Sequence, residues 1–73
     1  MKQLTLQVAS VPDREQVVSE IWFGNDQVAE VSNESFDSFV IELYAPPGGE
    51  AWSFDLEDFQ SILSRAKDNL KRE

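Results

Sequence analysis

The apolar positions of this chain change their rhythm partway along it. As far as Tyr44 they tend to recur at every second residue, in short runs separated by turn-forming residues; from Leu56 onward they recur at three and four. Leu4, Leu6 and Val8 alternate with Thr5 and Gln7, which predicts a half-buried strand. Val11-Pro12-Asp13 ends it, and residues 10–16 read as a polar connection with room for a short helical turn starting at Pro12. Residues 17–23 are rich in β-branched and aromatic side chains and predict a second strand. Gly24-Asn25-Asp26 is turn chemistry, and residues 27–32 predict a third strand in a hairpin with the second. Asn33 to Asp37 reads as another turn, and residues 39–44 as the strongest strand of the chain, ended by Pro46-Pro47-Gly48-Gly49.

The remainder predicts a helix with a signal at each end. Asp55 is placed to cap the first turn, with Asp58 in the capping-box position. Phe54 and Phe59 flank that cap as a hydrophobic staple. Leu56, Phe59, Ile62, Leu63, Ala66 and Leu70 fall on one face. Asp55, Glu57 and Asp58 at the start and Arg65, Lys67, Lys71 and Arg72 at the end complement the helix dipole. The order is β-β-β-β-α. It predicts a single α+β domain over residues 1–73, a four-stranded antiparallel meander sheet with the C-terminal helix packed on one face. The other face is then open to water.

Alternation decides what lies on that open face. In the second strand Val17, Ser19, Ile21 and Phe23 share one side, and Val18, Glu20 and Trp22 the other. In the fourth, Phe39, Ile41 and Leu43 share one side, and Val40, Glu42 and Tyr44 the other. The fully apolar sets are expected under the helix, together with Ala29 and Val31. The outward set is then Glu20, Trp22, Val28, Glu30, Val40, Glu42 and Tyr44. A three-residue loop at Gly24-Asn25-Asp26 pairs Trp22 with Val28 and Glu20 with Glu30, and a similar register puts Glu30 beside Glu42; a two-residue loop shifts the pairing by one and scrambles the face. Like charges directly opposite on a sheet cost roughly 0.2–1 kcal/mol per pair. Aromatic rings rimmed by carboxylates at that cost read as a binding surface for a basic protein, with Trp22 and Tyr44 as anchors. The plainer reading is that the two rings pack on each other and the glutamates form a solvated face.

Charge sharpens the choice of partner. Fourteen Asp and Glu stand against six Lys and Arg, for a net charge of −8. Only Lys2 and Arg14 among the bases precede residue 65, so the body carries −10 and the last nine residues +2. Such a body repels phosphate backbones and anionic lipid and attracts basic surfaces. Direct nucleic-acid or membrane binding is therefore not expected. A homodimer through the open face would oppose two glutamate stripes, so the free chain is expected as a monomer or weak homodimer.

Catalytic chemistry is hard to place. The chain has no Cys and no His, which removes thiolates, imidazole bases and the usual zinc ligands. Asp55, Glu57 and Asp58 cluster as helix-capping residues do, and the Pro46–Gly49 turn lacks the Lys and Ser/Thr of a phosphate loop. No catalytic residue, cofactor or metal is expected, so the chain reads as a binding module and not an enzyme. With no signal-peptide pattern and no apolar run of membrane-spanning length, the expected address is the cytoplasm.

The stretch from Ile21 to Leu70 resembles a loose group of small bacterial proteins. The residues that carry the likeness are Trp22, Val28-Ala29-Glu30, Ile41-Glu42-Leu43-Tyr44-Ala45-Pro46, Trp52-Ser53-Phe54-Asp55-Leu56 and Ala66-Lys67-Asp68-Asn69-Leu70. Such short acidic chains are similar to immunity proteins that neutralise polymorphic bacterial toxins. The resemblance implies a cognate, basic toxin domain whose active site is occluded, and it transfers no site residue. Two other readings stand beside it: a nucleic-acid mimic that inhibits a DNA-binding protein, and a small structural or regulatory subunit joined through an edge strand or the helix.

Overall fold

A computed structural model describes residues 3–10, 12, 16–35 and 38–70. Strands β1 (Leu4–Ala9), β2 (Val18–Phe23), β3 (Asp26–Ser35) and β4 (Ser38–Leu43) precede one helix, α1 (Leu56–Asp68). The strands form one antiparallel sheet in chain order, β1-β2-β3-β4. This is the expected α+β meander with a C-terminal helix. Most of the connection read over residues 10–16 lies outside the described residues, as do Lys71 and Arg72.

The β2–β3 hairpin resolves the question of loop length in an unexpected way. Phe23 pairs with Asp26, so the loop holds two residues, Gly24 and Asn25. Gly24 has φ 64° and Asn25 is not positive, the sign pattern of a II′ turn, which favours glycine first. Trp22 then pairs with Gln27, but Ile21 pairs with Ala29, leaving Val28 as the extra residue of a β-bulge. The short turn slips the register by one and the bulge restores it, so Glu20 still faces Glu30. The expected pairing of Trp22 with Val28 is corrected to Trp22 with Gln27. Val28 itself is turned inward and is 1% exposed, part of the core with Ile62.

That core joins Ile21, Val28, Ala29 and Val31 of the sheet to Ile62, Ala66 and Leu70 at the C-terminal end of the chain. The expected helix start is observed: the Asp58 N–H donates to Asp55 Oδ2 at 3.0 Å. The staple is present too, with the Phe54 and Phe59 rings stacked at 5.4 Å and 12°. At the other end, the buried Ser19 hydroxyl donates to the Ala66 carbonyl at 2.9 Å. Leu70 N–H, the usual i+4 partner of that carbonyl, bonds Lys67 instead. Ser19 thus supplies a donor that the helix end withdraws and ties α1 to β2.

The helix packs chiefly on β1 and β2. One helix is about 10–12 Å across with its side chains, whereas strands are spaced about 4.8 Å apart, so a single helix cannot shelter all four. The expectation that Phe39, Ile41 and Leu43 lie buried beneath it holds in part for Phe39, which is half-buried against the core, and is corrected for Ile41 and Leu43. Lys67 Nζ sits 5.3 Å from the Phe39 ring centroid, but Ile41 and Leu43 are 42% and 67% exposed. Leu56, expected on the buried helix stripe, is also exposed.

Candidate protein-binding face

On the side of the sheet away from α1, Gln7, Glu20, Glu30 and Glu42 stand in register across β1, β2, β3 and β4. The three glutamates therefore form one row, each on an adjacent strand. Glu20 and Glu30 are half-buried and Glu42 is exposed. Neighbouring members place like charges directly opposite one another. Among the described residues, no group of three or more acidic side chains is placed to hold a metal ion.

Trp22 sits beside this row, between Thr5 of β1 and Gln27 of β3. Its indole Nε1–H donates to Glu20 Oε1 at 3.2 Å, which joins ring and carboxylate as a single surface feature. The ring is half-buried and lies outside the core under the helix. Val40 is 51% exposed and pairs with Ser32. Tyr44 lies just past β4 and is partly exposed. Its backbone is held on both sides: its N–H donates to the Val28 carbonyl at 2.9 Å, and its own carbonyl accepts from Trp52 Nε1 at 2.7 Å.

Compared with models of protein families, with curated proteins and with solved structures, the chain gives no match.

Of the seven residues expected on the open face, six keep a surface position and the register brings Glu20, Glu30 and Glu42 together. The seventh, Val28, belongs to the core, for the bulge reason given above. Gln27 takes its place next to Trp22. One end of the face is closed: Val18, on the same side of β2 as Glu20 and Trp22, is fully buried, and Ser32 is buried beside it.

Two features escaped the sequence reading. Phe23, Trp52, Phe54 and Phe59 form a relay of ring contacts that pins the segment before α1 to the sheet; the Trp52-x-Phe54 spacing just before the cap was its only trace. The second is the exposure of β4 on both sides. Comparing one helix diameter with the width of a four-stranded sheet was enough to anticipate it.

Proposed function

We propose that this chain is a binding module that inhibits a basic protein, in the manner of an immunity protein that occludes the active site of a bacterial toxin domain, acting in the cytoplasm. The observation that carries this reading is the in-register row Glu20–Glu30–Glu42 with Trp22 bonded at its side. A partner that brings Lys or Arg to the row turns like-charge neighbours into opposite-charge pairs. Such charge complementarity favours association with the right partner and sets its register. Trp22 supplies flat apolar area with a polar edge, the type of side chain that dominates binding hot spots. The net charge of −8 attracts a cationic surface before contact, and the row gives it a place to settle.

The test is affinity capture from the native host with the wild-type chain and with a Glu20→Gln, Glu30→Gln, Glu42→Gln variant, each at low and high salt. A basic protein retained by the wild type at low salt, and lost both at high salt and with the variant, is the expected result. A partner held equally by both chains at both salt concentrations removes the basis of the reading.

A further inference from the structure

We propose that β4 is a docking strand: an extended segment of the partner adds to its open edge as a fifth strand and places a basic residue beside Glu42. This rests on the reading that the partner is a basic protein, and it assigns the geometry of contact.

β4 ends the strand order. The bond from Tyr44 N–H to the Val28 carbonyl fixes which backbone groups point at β3. By alternation, the N–H and C=O groups of Phe39, Ile41 and Leu43 point the other way, to the edge. Proteins usually blunt such edges with Lys, Pro or a bulge. β4 carries no Lys and no Pro, and its pairing from Val40 to Leu43 is regular. Beyond the half-buried Phe39 its side chains are uncovered on both sides of the sheet, with Val40 51%, Ile41 42% and Leu43 67% exposed. At the opposite edge, Leu4 and Leu6 of β1 pack against the core. β4 is thus the edge where an added strand gains apolar contact as well as backbone hydrogen bonds.

Charge selects the occupant. The row Glu20–Glu30–Glu42 runs across three strands and points at the position next to Glu42 on any strand added beyond β4. Lys or Arg at that position closes the row with an opposite charge. A second copy of this chain pairing through its own β4 brings no base to that position, because the single charge on that strand is Glu42 itself. A strand alternating apolar and basic residues fits both the exposed side chains and the row.

The experiment is a titration of the 15N-labelled chain, followed by amide shifts and hydrogen exchange. The probe is a blocked synthetic peptide alternating valine with lysine, about six residues long as an ordinary strand is; its analogue carries glutamate for lysine. With the lysine peptide, the amides of Phe39, Ile41 and Leu43 are expected to shift and become protected, and the glutamate peptide should bind about fivefold or more weakly, the worth of one cross-strand charge pair. Ile41→Pro removes an edge donor and spares the pairing with β3, and is expected to abolish the effect. Leu43→Lys, at an exposed position, should weaken lysine-peptide binding even if the proline variant does not fold. Shifts confined to Glu20 and Trp22 overturn the docking strand but leave the basic-partner reading standing. Equal binding of both peptides at the edge overturns the basic residue and that reading together. Edge amides already protected without peptide, in a concentration-dependent way, assign the edge to a second copy and overturn the proposal. Failure of both peptides to bind overturns it as well.

Discussion

Trp22 donates its indole N–H to Glu20 Oε1 at 3.2 Å, across a two-residue step on one face of β2. The bond orients a large ring before any partner arrives, which lowers the ordering cost of binding. Trp22→Ala is expected to weaken partner binding by about 2 kcal/mol or more, and Tyr44→Ala similarly, with cooperative melting retained in each variant. Calorimetry with the captured partner and circular dichroism of the free chain check the two halves. Loss of the fold in Trp22→Ala would move that ring from the surface to the core.

The glutamate row makes a prediction of opposite sign for stability. Glu30 stands between Glu20 and Glu42, so Glu30→Lys converts two like-charge pairs into two opposite-charge pairs. The variant should be more stable in urea denaturation by about 0.5–2 kcal/mol, more at low salt than at high, and should bind a basic partner less well. Stability gained together with binding lost is the pattern expected where a surface is kept unfavourable for function.

Ser19 tests the attachment of the helix. Its hydroxyl is buried and bonds the Ala66 carbonyl at 2.9 Å. Ser19→Ala leaves that carbonyl without this donor in an apolar setting and is expected to cost about 1–3 kcal/mol in chemical denaturation. An unchanged midpoint would show that the carbonyl is satisfied in another way.

Gly24 tests the turn. At φ 64° it occupies the left-handed region, where an L side chain costs about 1–2 kcal/mol. Gly24→Ala should lower stability by about that amount, measured by thermal melting. A neutral substitution would favour a longer, looser loop over the two-residue turn.

Much of this architecture was readable from periodicity and punctuation. The Asp55 cap, the Phe54–Phe59 staple and the strand order follow from local rules that the whole fold does not override. Val28 shows where such rules stop. Strict alternation places it outside with Glu30, but the two-residue turn forces a compensating extra residue, and the bulge rolls Val28 into the core. Nothing local to Val28 signals this; it follows from reconciling the turn with pairing farther along the hairpin. Ile41 and Leu43 fail for a different reason. Alternation places them on the helix side, yet an apolar side chain is buried only where something covers it, and a single helix is too narrow to cover Ile41 and Leu43 as well. The Glu20–Glu30–Glu42 row was legible because two opposite register errors cancel before it begins.

The most direct measurement of the central claim is the association rate of the captured partner with the wild-type chain and with the triple glutamine variant, by stopped flow from about 50 to 500 mM salt. Electrostatic steering by the glutamate row predicts a wild-type rate that falls steeply, by about tenfold or more over that range, and a variant rate that starts lower and falls less steeply. Equal rates for the two chains, unaffected by salt, would contradict the assignment of this face as the surface that meets a basic partner.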